Sequence, residues 1–423
     1  MNEEQNINQL PKDWKWVKLG EVCHTTSGGT PSRRELKYYN GNIPWVKSGE
    51  LDRGIITDTE EKISEEAIKN SSAKIFPKGT LLIALYGTTI GKLAFLGVDA
   101  ATNQAICGIY QNEKISSSFL YNYLFYKKRK LVGQGIGGAQ PNISQTILKD
   151  LDLPLPPKPT QQAIVSKIEE LFSELDKGIE NLRTAQQQLK TYRQSVLKWA
   201  FEGKLTNENE REGELPNEWK WVSIEFLLSD KKKGMGTGPF GTMLKKSEHQ
   251  ESGVPVLGIE NIGEGVFQMP NKIFVTDEKA IELKSFRVKE NDIIISRSGT
   301  VGEICLLPKK MENSIISTNL IRVSLNLEII NSKYFVYLFQ GGKVRQQVFD
   351  LCKGSSRAFL NQTILNSLNF PYCSIVEQNK IIQEIESRFS VADKMEESIN
   401  QSLQQAEALR QSILKKAFEG TLI

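Results

Sequence analysis

The sequence predicts an α+β protein: two mixed α/β modules separated by an intramolecular antiparallel coiled coil of two long helices, related by a pseudo-two-fold axis. Three observations predict this fold. The 423-residue chain repeats itself once, each copy ends in a long stretch with coiled-coil spacing, and the rest of each copy consists of short apolar runs broken by glycine-rich turns. We place the boundaries at 1–159 for the first module, 160–206 for the first long helix, 207–376 for the second module and 377–423 for the second long helix.

The repeat is visible at both ends of each copy. The segment LPxxWKWV begins at residue 10 and again at residue 215, and the string AFEG at 200–203 returns at 417–420. A unit this long exceeds the ~20 to 50 residues of solenoid repeats, so the chain carries a duplicated module of several elements. The offset between the copies grows along the chain. The segments at about 24–156 and 229–373 have therefore diverged, and we expect them to carry specificity on a shared framework.

Each copy ends in a stretch with the alternating four- and three-residue apolar spacing of a coiled coil. In the first copy the stripe consists of Ile164, Ile168, Leu171, Leu175, Gly178, Leu182, Ala185, Leu189, Tyr192, Val196 and Trp199. In the second copy it consists of Ile381, Ile385, Arg388, Ala392, Met395, Ile399, Ser402, Ala406, Leu409, Ile413 and Lys416. The expected N-caps are Thr160 and, with capping-box spacing to Glu377, Ser374. Gly203 and Gly420 suit the C-terminal caps.

A helix of this length forms a rod of about 60 Å, which needs a second rod as its partner. In one interpretation the partner rod belongs to a second chain, and the coiled coil joins two molecules. Because both strands occur here in one chain, we expect them to pair within the molecule, antiparallel, with the two modules at opposite ends and the helices setting the distance between them.

The modules are predicted to mix strands with shorter helices. The strand-like runs are 43–46, 80–86, 254–259 and 292–296, and the helices are 118–130 and 332–348.

Two glycine-rich segments resemble nucleotide-binding loops but depart from them. The loop from Gly87 to Leu93 has three residues between its glycines instead of four, and Leu93 stands where a hydroxyl side chain would bind magnesium. Residues 133–138 match GxGxxG, but they follow a basic helical stretch and are soon interrupted by Pro141. Both departures argue against a cofactor site.

Composition excludes several classes of site. Lysine and arginine number 54 against 50 acidic residues, a balance too even to indicate nucleic acid by itself. The five cysteines lack CxxC spacing and there are only two histidines, so we expect no metal site or disulfide framework. We expect no membrane span and, from the polar N-terminus, a cytoplasmic location. No catalytic constellation is recognisable; the ExK spacings at 35–37 and 282–284 are common on solvated helices.

The polar, glycine-rich loops favour DNA contact, because backbone N–H groups can approach phosphates and the neighbouring side chains suit base edges. The candidates in the first module are Ser27, Thr30, Ser32, Arg33, Lys47, Thr88, Thr89, Lys92, Asn103, Gln104, Gln140 and Asn142. Those in the second are Thr242, Lys245, Lys246, Asn261, Arg297, Ser298, Thr300, Asn319, Lys353, Ser355, Arg357 and Asn361. The tryptophans of the two WKW strings could stack on bases, but we favour packing between module and framework.

The order of these motifs, twice in one chain, resembles the specificity subunit of type I restriction-modification systems over essentially the whole length. The strings that carry the resemblance are LPxxWKWV, GGTPS at 28–32, IPWV at 43–46, GTTIG at 87–91, QPNI at 140–143, NQTIL at 361–365 and the two helices that end in AFEG. The second module departs from the first, with GPFG at 238–241 in place of GGTPS.

The resemblance implies a non-catalytic DNA-binding subunit with two target-recognition domains, each reading one half of a bipartite, asymmetric site in double-stranded DNA. It implies docking of two methyltransferase subunits and of restriction subunits with motor and nuclease activity. S-adenosylmethionine, ATP and magnesium would belong to those partners, and no cofactor to this chain. Two alternatives stay open at this point: a coiled-coil scaffold that does not bind DNA, and a nucleotide-binding enzyme that uses the loop from Gly87 to Lys92.

Overall fold

The computed structural model describes residues 10–52, 54–133, 142–206, 215–263, 265–352 and 359–423. The chain forms two compact units. Unit 1 contains Met1–Leu182 and Gln401–Ile423, and unit 2 contains Arg183–Asn400. Each unit therefore combines one module with part of both long helices. The predicted four-part division stays a prediction.

Unit 1 is built from short strands and helices. Its elements are β1 (Lys15–Lys18), α1 (Leu19–Val22), β2 (Thr25–Ser27), β3 (Ile43–Val46), β4 (Ile55–Ile56), β5 (Glu61–Ile63), α2 (Glu65–Lys69), β6 (Ile75–Phe76), β7 (Leu81–Ala84), β8 (Leu93–Leu96), β9 (Ala100–Thr102), β10 (Ile106–Ile109), α3 (Ser117–Gly133), α4 (Gln145–Lys149), β11 (Asp152–Leu155) and the first long helix α5 (Lys158–Phe201). The strands form sheets of order β2-β10-β7-β8-β4, β5-β3-β9-β6 and β1-β11.

Unit 2 repeats this plan. Its elements are β12 (Lys220–Ser223), α6 (Ile224–Leu227), β13 (Met235–Thr237), β14 (Val254–Leu257), β15 (Ile262–Gly263), β16 (Val266–Phe267), β17 (Ile273–Val275), α7 (Asp277–Glu282), β18 (Ile293–Ser296), β19 (Ile304–Leu306), β20 (Ile315–Ile316), β21 (Leu320–Val323), α8 (Ser332–Gln340), α9 (Gly342–Cys352), α10 (Gln362–Ser367), β22 (Asn369–Tyr372) and the second long helix α11 (Ile375–Phe418). Its sheets have the orders β13-β21-β18-β19, β17-β14-β20, β15-β16 and β12-β22.

The predicted helix at 332–348 is wrong in one respect, because it divides into α8 and α9. Gly341 is extended, with φ −109° and ψ 159°, and Gly342 has φ +51°. A Cβ at Gly341 would lie 2.7 Å from Leu197 Cβ of α5. The absence of a Cβ at Gly341 therefore lets the long helix approach this backbone closely, and the positive φ of Gly342 at the break favours glycine there.

The long helices have the same length and the same caps at their C-terminal ends, and each contains 44 residues. Gly203 and Gly420 follow the two C-termini with φ of +80° and +72°, as a C-terminal cap requires. At the N-terminal ends, Ser374 caps α11, since its hydroxyl accepts a hydrogen bond from Glu377 N at 3.3 Å. The prediction for Thr160 is wrong: α5 begins two residues earlier and carries Pro159 in its first turn, where proline is tolerated.

The cores show how each unit uses the two helices. In unit 1, the first turns of α5 and the last turns of α11 enter the module's core; the residues are Ile164, Val165 and Ile168, with Ile413, Leu414, Ala417 and Phe418. In unit 2 the last turns of α5 meet the first turns of α11, through Val196, Leu197, Ala200 and Phe201, with Ile381, Ile382 and Ile385. In each unit, the start of one helix packs beside the end of the other, so the helices are antiparallel.

Polar contacts fix the same register. In unit 2, Gln186 Nε2 donates to Asn400 Oδ1 at 2.8 Å, and Arg193 Nη2 donates to Asp393 Oδ1 at 2.7 Å. Seven residues forward along α5 correspond to seven backward along α11. In unit 1, Arg410 of α11 forms an ion pair with Asp176 of α5. The predicted intramolecular antiparallel pairing is confirmed.

The predicted seam is buried only in part. Tyr192, Trp199, Met395 and Leu409 are exposed, although each falls on the heptad stripe. In the first and last turns of both long helices, the buried residues recur at the three- to four-residue spacing of an amphipathic α-helix. There the helices pack on the modules as well as on each other. The residues that the structure describes contain no helix long and apolar enough to cross a membrane.

One buried glutamine in each copy ties the module to the first turns of the long helix that follows it. Gln161 of α5 accepts from Ser116 N at 2.7 Å, and its amide donates to the carbonyls of Lys114 and Pro156 at 3.0 and 2.9 Å. Gln378 of α11 makes the equivalent three bonds, to Asn331 N, Ile329 O and Cys373 O. Both side chains are fully buried. The same device therefore occurs twice, at equivalent positions.

Replacing Gln161 with leucine should lower the free energy of unfolding by about 2 to 4 kcal/mol, because one buried N–H and two buried carbonyls lose their partners. Urea unfolding of the protein measures this change. The neighbouring Gln162 is exposed, so Gln162→Leu should change stability by no more than about 0.5 kcal/mol. Equal effects at both positions would show that the buried amide does not anchor the module.

Candidate nucleic-acid interface

Four loops of unit 1 meet at one end of the β2-β10-β7-β8-β4 sheet. They are 28–33, 85–92, 103–105 and 142–144, and together we call them loop face 1. Backbone bonds join them: Gly29 N donates to Thr102 O at 2.9 Å, Leu85 N to Ala105 O at 2.8 Å, and Ile143 N to Leu85 O at 2.8 Å. A Cβ at Gly28 would overlap Thr102, so the first loop can lie this close only because it starts with glycine.

The structure brings several polar candidates together on loop face 1. The Thr30 hydroxyl donates to Gln104 Oε1. At the edge of the face, Ser27 Oγ accepts from Gln145 Nε2 at 2.5 Å. Asn142 forms a β-bridge with Tyr86. Asn103 accepts from Ala105 N at 3.2 Å and so shapes its own turn. Hydrogen-bonding side chains from three of the four loops, with Ser27 at the edge, thus share one surface, which is the arrangement needed to read base edges.

Three basic candidates of unit 1 are held by carboxylates. Arg33 binds Glu61 at 2.5 Å, and Lys47 reaches Glu60 and Glu61 at 2.7 and 3.1 Å. The Arg33 hydrogen bond holds the pKa of Glu61 below its ordinary value, and the bonds from Glu60 and Glu61 raise the pKa of Lys47. Lys92 binds Asp52 at 2.8 Å. Such partly exposed ion pairs are weak in water, so a phosphate can compete for each cation.

The loop that resembles a phosphate-binding loop is a β-hairpin turn. It joins β7 to β8, which are antiparallel, and Ala84 N donates to Lys92 O across its base at 2.9 Å. A phosphate-binding loop leads from a strand into a helix whose N-terminus faces the nucleotide. Thr88 and Thr89 therefore lie at a hairpin tip. Ser32 is exposed in the first loop.

Unit 2 builds the corresponding surface, which we call loop face 2, from 238–241, 297–303, 317–319 and 359–361. Arg297 N donates to Asn319 O at 2.8 Å, and Leu360 N donates to Arg297 O at 2.9 Å. A Cβ at Gly238 would overlap Ser317 O, as one at Gly28 would overlap Thr102. The framework of the two faces is therefore the same.

The side chains on loop face 2 differ from those on loop face 1. Arg297 donates to Thr318 O at 3.0 Å and Leu360 O at 3.3 Å, and its guanidinium lies 4.5 Å from the centre of the Phe359 ring. Burial lowers the pKa of Arg297. Ser298 Oγ donates to Asn319 Oδ1 at 2.9 Å, and Thr300 Oγ1 donates to Ser296 Oγ at 3.1 Å.

The side chains of two candidates in unit 2 form hydrogen bonds that stabilise the fold. Asn261 is only 1% exposed, and its amide bonds Gly258 N and Gln268 O, so this side chain faces the interior instead of DNA. Asn361 caps α10 by accepting from Ile364 N at 2.8 Å, as Ser144 caps α4. An N-cap side chain is already engaged, which leaves it less free to read a base.

Thr242, Lys245 and Lys246 lie on the exposed segment between β13 and β14. Gln140, Lys353, Ser355 and Arg357 lie outside the described residues. These seven side chains remain candidates from the sequence.

In each WKW string the first tryptophan is packed and the second is exposed. The last two residues of each string begin a strand of a two-stranded ladder, which pairs β1 with β11 in unit 1 and β12 with β22 in unit 2. Trp14 is buried and Trp219 packs against the core of unit 2, as predicted. Trp16 and Trp221 are 49% and 42% exposed, so the prediction of packing is wrong for the second tryptophan of each string, which lies within the strand, whereas the first tryptophan precedes the strand.

The cysteines are placed as inert core residues. All five are free and buried, and burial raises the pKa of Cys107 and Cys305 to about 12. Among the described residues there is no group of three or more histidine, cysteine or acidic side chains placed to hold a metal ion.

Phe240 is not among the DNA-binding candidates predicted from the sequence. It occupies the tip of the first loop of loop face 2 and is 67% exposed. The signal was present in the GPFG string, which departs from GGTPS of the first module by introducing an aromatic residue into a turn.

The comparisons with known proteins agree with this geometry. The family model described as "Type I restriction modification DNA specificity domain" matches residues 11–183 and 238–405. The chain belongs to this family. It is a specificity subunit of the kind that determines DNA target recognition in type I restriction-modification systems.

Curated relatives match almost the whole chain. The EcoBI specificity subunit of Escherichia coli is 25% identical over 99% of this chain and 89% of its own length. The MjaIX specificity subunit of Methanocaldococcus jannaschii is 26% identical over 99% and 96%. Among solved structures, a chain from a study of the assembly and conformational transition of a type I system has a TM-score of 0.75 at 19% identity, covering 98% of this chain and all of the other. The HsdS subunit of Thermoanaerobacter tengcongensis has a TM-score of 0.56 at 20% identity, with 98% of both chains covered. These structures support the fold.

Replacing Lys245 and Lys246 with glutamine should weaken DNA binding by the assembled complex and flatten its salt dependence. Each lost phosphate contact should reduce the slope of log K against log salt by ~0.9. Binding titrations at several salt concentrations measure the slope. Lys309 and Lys310 provide the matched control, because they are exposed but follow β19 at the end away from the 297–303 loop. Equal loss of slope in both double variants would remove Lys245 and Lys246 from the interface.

Proposed function

We propose that this subunit reads a bipartite, asymmetric DNA site, with loop face 1 contacting one half and loop face 2 the other. The observation that supports this most directly is that one loop framework occurs twice with unlike side chains. Thr30 and Gln104 stand on the first face, and Phe240 and Arg297 on the second. Two faces of different chemistry select two different sequences. The described candidates on these faces are the residues that we propose to approach DNA.

In our proposal the chain itself catalyses no reaction. Methylation and cleavage belong to two methyltransferase subunits and to restriction subunits, which supply S-adenosylmethionine, ATP and magnesium. Modification of an adenine requires extrusion of the base from the duplex, so we propose that the assembled complex opens or bends its site. The complex would act in the cytoplasm, where the DNA is.

The exposed apolar side chains of the long helices are the surface that we propose for methyltransferase docking. In unit 2, Tyr192 and Trp199 lie one heptad apart on α5, and Val391 and Met395 lie on α11, all of them exposed. Apolar residues exposed along a helix are typical of a surface that a partner covers. This docking would bring a catalytic subunit to each recognised half-site.

We further propose that the paired helices set the spacer between the two half-sites. Seven residues inserted between Gln187 and Gln188 of α5, and seven between Ser398 and Ile399 of α11, preserve the heptad pattern and enter opposite each other in the register seen in unit 2. The insertions add about 10 Å of helix. This should lengthen the spacer by about three base pairs, at about 3.4 Å per pair, and leave both half-sites unchanged.

Mapping of methylated adenines in cells that carry the variant complex measures the new spacer. A single insertion in α5 serves as the control and should abolish modification, because it shifts the register of the pair. A double-insertion variant that modifies the original site would contradict the role of the helices. Absence of sequence-specific modification and of salt-dependent DNA binding by the unmodified complex would favour the scaffold alternative.

A further inference from the structure

We propose that Phe240 inserts its ring between stacked bases of the second half-site and so acts as a specificity-determining residue of unit 2. This inference rests on the proposed function, because it requires loop face 2 to contact DNA. It adds a distinct mode of recognition: the first face would read its half-site by hydrogen bonds, and the second also by the ease of unstacking one base step.

Exposure singles out this side chain. At 67%, Phe240 is the most exposed aromatic residue in the part of the chain that the structure describes. Complete burial of a phenylalanine side chain is favourable, so a ring left in water on a functional surface is available to a ligand that can cover it. Inserted phenylalanine side chains are among the apolar wedges that DNA-binding proteins use to unstack a base step.

The backbone presents the ring on a firmly held turn. Proline precedes Phe240, and the Thr318 hydroxyl donates to the Pro239 carbonyl. Met243 N donates to Phe240 O at 2.8 Å, which closes the turn. Gly238 lies against the Ser317 carbonyl and leaves no room for a side chain. A wedge must resist being pushed back by the bases, and these contacts hold the loop against the β20–β21 connection.

The neighbouring side chains favour DNA over an apolar protein surface as the occupant. Thr318, which binds the turn, and Asn319 are exposed, and Asn319 is bonded to Ser298. Arg297 is stacked on Phe359 in the adjoining loop. A ring surrounded by amide, hydroxyl and guanidinium groups can enter the base stack while its neighbours bond base edges and phosphates.

The two units differ at this position. Gly28 and Gly238 occupy equivalent places, since each lies against the connection that precedes β10 or β21. Counting two residues onward from each glycine, Phe240 corresponds to Thr30, whose hydroxyl bonds Gln104. A wedge is therefore expected in the second half-site only.

The experiment uses the assembled complex and its target duplex, identified from the methylation map. 2-Aminopurine is placed in turn at positions of each half-site other than the methylated base. Binding of the wild-type complex should raise the fluorescence of 2-aminopurine at one base step of the second half-site. Phe240→Ala should abolish this rise and weaken binding at least ~10-fold, as loss of one base–aromatic stack does. Phe240→Trp should retain the rise.

Leu327→Ala is the matched control, because Leu327 is 51% exposed in a loop beyond the opposite end of β21. It should change neither the fluorescence nor the affinity. Unchanged fluorescence and affinity in Phe240→Ala would overturn the wedge while leaving the proposed function intact. Loss of a partner subunit from the Phe240→Ala complex would assign the ring to a protein interface instead. A wild-type complex without sequence-specific DNA binding would overturn both proposals.

Discussion

The structure depends on the burial of both long helices in both modules. Neither core is closed by its own module: unit 1 needs Phe418 at the end of α11 beside Ile164 near the start of α5, and unit 2 needs Phe201 beside Ile381. A large part of the apolar surface that stabilises each module is therefore supplied by helices that are shared between them. This constraint fixes the antiparallel direction of the pair, and the polar contact of Arg193 with Asp393 fixes its register.

A shared framework allows the loops to diverge. The glycine–proline contacts that close each copy, Gly203 against Pro216 and Gly420 against Pro11, occur at the same place in both units, as do the buried Gln161 and Gln378. None of these contacts involves a residue of the loop faces. The loops can then accept substitutions at little cost to the folding of the module, as our proposal that they read DNA requires.

The sequence predicted the duplication, the helix pairing and both C-terminal caps, because these follow from spacing and from the conformational freedom of glycine. The predicted helix at 332–348 missed the break at Gly341, and the packing of Leu197 from a distant helix against this glycine could not be predicted from local pattern. It also misjudged Asn261, since an amide in a polar loop looks alike whether it faces solvent or satisfies buried backbone groups. The local sequence pattern determines the helices and strands, whereas the burial of a single polar side chain depends on contacts between segments far apart in the chain.

The antiparallel intramolecular pairing is tested most directly by chemical cross-linking of paired cysteine variants. The native cysteines are buried, so a short bis-maleimide should react with introduced thiols. Arg193→Cys with Asp393→Cys should give a cross-linked single chain, because these side chains touch across the helix pair. A parallel pair aligned by the sequence repeat would instead place residue 193 opposite Arg410. Cross-linking of Arg193→Cys with Arg410→Cys, or cross-linking only between two chains, would contradict the account.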